Sequence, residues 1–388
     1  MGFQQTPKHR FGKGSYHQIG LVRGQFGNME MGGWVKFVAD SGFDGWEEAS
    51  WELDLSKCDT DAGAEAYAKE RYALAQKHGL EIFTIATHLQ GQGLGDEPSA
   101  KTLNFTGGEA VEMYKAWRKG NNPPRTNPYF VPDNVAAQIQ KQNLQSLLAC
   151  VRLAKHLSKL QGRKVALPGF VGSPAHCWSH FFGFPPLPTG IGGFAIPDVR
   201  QVSLELIVER FAPVWDLCKD AGVTFDLECH PSERAMGDLE SASDYINFMC
   251  KAGYEGVVGF NFDGSHIEWQ GVSAVQFIRE FGKYIHCAHI KGVQVIREHT
   301  RAGLLGGHRP MGHPLNGWNF VTAGTARDAN SCEEIFIELN RVGFDGAVSI
   351  EWEDNDAEQH AGAKAALANC RKADLPPSGM RHDEMLKA

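Results

Sequence analysis

Four short apolar runs in the second half of the chain each end on, or just before, a side chain able to bind a metal. They are Val223-Thr224-Phe225-Asp226-Leu227-Glu228, Val257-Val258-Gly259-Phe260-Asn261-Phe262-Asp263, Ile285-His286-Cys287-Ala288-His289 and Ala347-Val348-Ser349-Ile350-Glu351. A helix-like stretch separates each run from the next. Continuous apolar strands alternating with helices read as a parallel sheet. In a closed parallel barrel, chemistry gathers at the C-terminal rim of the strands. Glu228, Asp263, His289 and Glu351 are therefore expected to converge. One carboxylate after a strand is as readily a helix N-cap. Four such residues from successive strands point instead to a shared site.

The same rhythm runs through the rest of the chain. A first strand falls within Gly14–Leu21, a helix over Trp34–Ser41 stops at Gly42, and a second strand covers Phe43–Ala49. A helix over Ala62–His78 ends at Gly79, and Leu80–His88 follows as strand three. Asn134–Leu160 and Val199–Ala221 read as helices on either side of a fourth strand at Lys164–Phe170. Later helices fall near 242–252, 272–281, 332–342 and 357–371. Eight strand-helix units without a linker give an α/β chain folded as one (β/α)8 TIM barrel over residues 1–388. Three segments interrupt the rhythm and are expected as long rim insertions: 90–132, 171–197 and 292–330. The first holds Gly91, Gly93, Gly95, Pro123, Pro124 and Pro128, the composition of a loop. The tail, 372–388, is polar and is expected to be loosely held or to cross to another subunit of a homo-oligomer.

Charge and cysteine usage narrow the partners. The 38 basic residues against 46 acidic ones give a net charge of −8, which argues against a nucleic-acid partner. No apolar run reaches membrane-spanning length. The nine cysteines form no C-x-x-C pair, so reduced thiols in a cytoplasmic setting are expected rather than a disulfide frame. The first 24 residues lack the apolar stretch of a signal peptide.

Three carboxylates and one imidazole are oxygen-rich for a zinc site. They favour Mn²⁺, Mg²⁺ or Co²⁺, with Zn²⁺ as an alternative, and leave positions for substrate oxygens. Such an ion polarises a carbonyl and acidifies the neighbouring C–H, and a nearby carboxylate takes the proton. Glu228 and Glu351 are the first candidates for that work. His230, two residues after Glu228, faces the same side if the strand continues, as a base or a supporting histidine. Lys291, two after His289, is placed to stabilise an oxyanion. His266, in Asp263-Gly-Ser-His, and His88, at the end of strand three, are candidate substrate contacts. Glu353 reads as a rim charge. Trp178, Trp269, Trp318 and Trp352 fall near the rim, where one or two of them would stack on a sugar face.

The motifs Leu-Glu-Cys-His-Pro, Asn-Phe-Asp-Gly-Ser-His, Ala-His-Ile-Lys-Gly and Ser-Ile-Glu-Trp-Glu-Asp resemble the sugar phosphate isomerase/epimerase family, the xylose isomerase-like barrels. The resemblance runs from Val223 to about Lys364. It implies one divalent metal, often manganese, held at Glu228, Asp263, His289 and Glu351, with Glu228 and Glu351 exchanging the substrate proton. It further implies a carbohydrate substrate isomerised or epimerised through an enediolate. Two features depart from simple epimerases. Val295 stands where ketose epimerases carry a substrate arginine, and Glu228-x-His230 resembles members that eliminate from or hydrate 3-keto glycosides, including C-glycoside deglycosidases. Lyase or hydratase chemistry is the alternative, and a sugar-binding subunit without turnover a further one. The superfamily's three-zinc endonucleases would need more rim histidines and a basic face.

Overall fold

A computed structural model describes residues 10–181, 186–298, 300–307 and 309–378. Eight of its strands form one parallel sheet: β1 Ile19–Val22, β2 Gly45–Ala49, β3 Glu81–Ala86, β4 Leu167–Gly169, β5 Phe225–Glu228, β6 Val258–Asp263, β7 Ile285–Ile290 and β8 Ala347–Ile350. The order across the sheet is β3-β2-β1-β8-β7-β6-β5-β4. An isolated parallel bridge, Thr84 to Ala166, links the two ends, so the sheet is a nearly closed barrel. The strands are almost wholly buried, which is why their sequences are continuous apolar runs without alternation.

Helices connect them: α1 Met31–Ser41, α2 Asp61–Lys77, α3 His88–Gly95, α4 Gly108–Arg118, α5 Asp133–Gln161, α6 Val199–Ala221, α7 Leu239–Met249, α8 Ala274–Phe281, α9 Cys332–Val342 and α10 Gln359–Ala373. Gly42 ends α1 at φ 89°, a left-handed position that a glycine takes without strain. Among the described residues no helix is long and apolar enough to cross a membrane.

By internal contacts the chain divides into two compact units. The first comprises Met1–Glu48, Leu74–Phe83 and Asn261–Ala388. Here β1 pairs with both β2 and β8, and β8 pairs with β7, setting Val22 beside Glu47 and Ser349 beside His289. The insertion 292–330 is more ordered than a loop. Gly292–Val295 pairs antiparallel with Trp318–Val321, and Trp269, Val293 and Phe320 form a small core under that hairpin. The start of the tail is also fastened, contrary to expectation. Asp374 is buried and accepts from the His17 backbone N–H at 2.6 Å, with His17 Nδ1 2.9 Å from its other oxygen. Residues 379–388 of the expected tail lie outside the described residues.

The second unit comprises Ala49–Ala73 and Thr84–Phe260. Here the segment 90–132, expected as loop, is largely helical. It contains the end of α3, the turn Leu103–Thr106 and α4. The three glycines that signalled a loop are the reason α3 fits. A Cβ on Gly91 would collide with the Phe170 carbonyl, one on Gly93 with the Asn143 side chain, and one on Gly95 with the Val171 carbonyl. Close approach of backbone outweighs the weak helix propensity of glycine, about 1 kcal/mol per residue. In the insertion 171–197, a two-residue hairpin, Gly190–Ile191 with Phe194–Ala195, exposes its apolar side chains.

Candidate active site

In the first unit β6 ends on Asp263, His289 is the penultimate residue of β7, and Glu351 directly follows β8. Asp263 does serve as an N-cap: its Oδ1 accepts from the Ser265 N–H at 2.8 Å, starting the turn Gly264–Glu268. Its other oxygen lies 3.0 Å from Lys291 Nζ. Glu351 is likewise engaged twice, accepting from Gln25 Nε2 at 2.7 Å on Oε1 and from Lys291 Nζ at 2.7 Å on Oε2.

His289 is buried between two carboxylates. Its Nε2 is 3.1 Å from Glu47 Oε2, and its Nδ1 is 3.3 Å from Glu351 Oε2. A carboxylate only accepts, so a proton on Nε2 would bond Glu47, and the Nδ1 lone pair would then face Glu351, as a ligating nitrogen's would. A lone pair and a carboxylate oxygen at that separation repel unless a proton or cation lies between them.

Lys291 is as buried as the acids it meets. Besides Asp263 and Glu351 it has His266 Nε2 at 3.1 Å, Glu353 Oε2 at 3.6 Å and the Phe320 ring centroid at 4.5 Å. An ammonium only donates, so His266 accepts through Nε2. His266, expected above the pocket on a loop, is buried in the turn after Asp263, edge-on to Phe320. Glu353, expected as a rim charge, accepts from Gln25 Nε2 at 3.1 Å. Burial raises its carboxyl above the usual range, Lys291 opposes the rise and Glu351 adds to it.

In the second unit, β5 ends on Glu228, and α3 begins at His88, whose Nε2 is 3.1 Å from Glu228 Oε2. The Phe170 ring packs against His88 at 4.8 Å and against His230 at 5.2 Å. The expectation that His230 shares a strand face with Glu228 is corrected. The strand stops at Glu228, and His230 opens a tight turn in which its carbonyl accepts from the Glu233 N–H. Its Nδ1 is 3.0 Å from Ser232 Oγ. Proline at 231 removes a ladder donor and ends the strand there. Glu233 is fully buried and accepts from the Val171 and Gly172 N–H groups, and burial holds its carboxyl well above the normal range.

Within the first unit, one donor atom from each of Asp263, His289 and Glu351 lies within 4.8 Å of the other two, and these three could hold a metal ion. The donors fit such an ion on their chemistry: oxygen-rich, with one imidazole whose Nδ1 lies 3.3 Å from an acid. Two supporting residues were not apparent from sequence. Glu47 is one of two adjacent acids in β2, with nothing local to choose between them, and Gln25 lies in a short turn. Trp269 and Trp318 stack on each other at 4.8 Å. Trp352 packs over Gly362, and the Trp178 backbone N–H is held by Ser173 Oγ at 2.7 Å. Val295 packs into the apolar cluster under the hairpin.

Residues 35–373 match the xylose isomerase-like TIM barrel family. A Bacillus subtilis (strain 168) protein, the uncharacterized protein YfiH, is 32% identical over 112 residues. That stretch is 29% of this chain and 36% of the relative's length, so the match spans about a third of that protein. Among solved structures, 3-keto-D-glucoside 4-epimerase YcjR from E. coli is similar at a TM-score of 0.51 and 11% identity, covering 92% of this chain and 99% of the other. D-psicose 3-epimerase from Clostridium cellulolyticum H10, solved with D-tagatose, is similar at 0.51 and 16% identity, with the same coverage. At these identities the likeness is one of fold.

Proposed function

The chain belongs to the xylose isomerase-like TIM barrel family, and we propose that it is a divalent-metal-dependent sugar isomerase or epimerase. The observation that carries this reading is the grouping of Asp263, His289 and Glu351 with their donor atoms within 4.8 Å, to which Glu228 is added as the proposed fourth ligand. These four side chains would hold the ion. When bound, it polarises a substrate carbonyl and acidifies the adjacent C–H.

The chain's own residues supply the proton transfers. Glu228 and Glu351 are the acid–base pair, one taking the proton and the other returning it to the enediolate. His88 sets the orientation of Glu228 through its 3.1 Å contact. Gln25 fixes one oxygen of Glu351, and Lys291 lies beside the other. His266 and Lys291 would bind the substrate's oxygens, and the buried strand ends exclude bulk water. The substrate is a small carbohydrate bearing a ketone or aldehyde.

His230 supports a second reading. It flanks the same Phe170 ring as His88, so a second imidazole is available near Glu228. Proton removal beside the ketone of a 3-keto glycoside would then end in loss of the aglycone or of water, with His230 protonating the leaving group. The E. coli protein of similar fold acts on a 3-keto-D-glucoside.

Incubation with free ketoses and with 3-keto glycosides in D₂O tests both readings. Deuterium entering an isomerised sugar supports the first, and release of an aglycone supports the second. No deuterium exchange and no release with any such sugar, in Mn²⁺-loaded protein, would contradict both.

A further inference from the structure

We propose that Lys291 is a built-in counter-ion for the metal-binding acids. Besides any contact with substrate, it holds Asp263 and Glu351 together before an ion arrives and gives way when the ion binds. This inference rests on reading those acids as metal ligands and concerns a competition which that reading does not contain.

Lys291 touches one oxygen of each acid, at 3.0 Å from Asp263 Oδ2 and 2.7 Å from Glu351 Oε2. The remaining oxygens accept from the Ser265 N–H and from Gln25 Nε2. Glu351 is thus bonded by protein donors on both oxygens, and Asp263 accepts on one while its other is ion-paired with Lys291. Of these donors Lys291 carries the full charge and bridges the two acids. A divalent cation at the same oxygens would meet its like charge at short range, and at this burial such repulsion is poorly screened.

The surroundings suit an ammonium that moves a short way rather than one that is fixed. Glu353 Oε2 is 3.6 Å from Nζ, and His266 Nε2 is 3.1 Å away. The Phe320 face, 4.5 Å from Nζ, attracts a cation without demanding one direction. Lys291 can therefore turn from Glu351 towards Glu353 while staying paired. Without it, Asp263, Glu351 and Glu353 would be three buried or half-buried acids in mutual repulsion.

The test uses the full chain stripped of metal by a chelator and titrated with Mn²⁺ by calorimetry, with thermal melts in parallel. Lys291→Met should melt several degrees below the parent without metal, yet bind Mn²⁺ at least tenfold more tightly. Lys291→Arg, which keeps the charge, should stay within about threefold of the parent affinity. A Lys291→Met chain that folds only when Mn²⁺ is supplied also supports the proposal, because the ion replaces the missing charge. Lys291→Gln repeats the comparison with a polar side chain. Mn²⁺ affinity in both neutral variants equal to or weaker than the parent's would overturn it. So would failure of both to fold under saturating Mn²⁺. A parent that binds no Mn²⁺ would overturn the metal reading as well, whereas a parent that binds while Lys291→Met gains nothing would overturn this proposal alone.

Discussion

In the proposed function Glu351 would carry two duties, ligand and proton carrier, and Glu351→Gln would separate them from folding. Glutamine keeps the shape and the ability to accept from Gln25, but not the charge. Turnover should fall by about 10²- to 10⁴-fold, the usual contribution of a positioned general base. Mn²⁺ should bind more weakly, while the melting temperature of metal-stripped protein shifts by a few degrees at most. Full exchange activity in that variant would contradict the role. Glu47 would act one step removed, through its 3.1 Å contact with His289 Nε2. Glu47→Gln should lower Mn²⁺ affinity about ten- to a hundredfold, as loss of the partner of a ligating histidine does. Titration calorimetry reads this directly, and an unchanged affinity would remove Glu47 from the site. The four ligand candidates could be picked out in the sequence because each closes an apolar run. Glu47 and Gln25 could not, since their importance comes from what they face across the fold and not from their neighbours in the chain.

Elements show the same contrast between local and long-range causes. The α3 glycines read as a loop, and they form a helix because Phe170, Val171 and Asn143 press against them. Gly95→Ala should therefore cost about 2–4 kcal/mol by denaturant unfolding, as overpacking against backbone does. Gly33 in α1 has nothing within 4 Å of a built Cβ, so Gly33→Ala should gain about 0.5–1 kcal/mol. Similar effects at the two sites would contradict the packing argument. In the 292–330 segment, Asp328 accepts from the Val293, Asn330 and Gly324 N–H groups. Burial nonetheless pushes its carboxyl up to about 6 from an ordinary 3.8, and Asp263 adds to the rise. The folded chain then holds more protons than the unfolded chain between about pH 4 and 6. Asp328 thus makes stability fall as pH rises through that window and leaves it level above. Asp328→Asn should remove this part of the slope in melting temperature against pH, whatever it does to stability at one pH. An unaltered slope would show that the carboxyl titrates normally.

For the molecule as a whole, the barrel was readable because buried parallel strands leave a simple mark: unbroken apolar runs, spaced by helices, with polar residues at their ends. Helices such as Val199–Ala221 and Cys332–Val342 begin and end where their caps and glycine stops indicate. The hairpin of 292–330 and the fastening of Asp374 to His17 left no such mark, because they depend on pairing between distant segments. The account as a whole depends on Glu228, Asp263, His289 and Glu351 acting as one binding site. Titration of metal-stripped chain with Mn²⁺ tests this most directly, in the parent and in Glu228→Gln, Asp263→Asn and His289→Ala. One ion per chain in the parent, with affinity cut at least tenfold in each of the three variants, is the predicted result. No bound ion in the parent, or binding undiminished by all three changes, would contradict it.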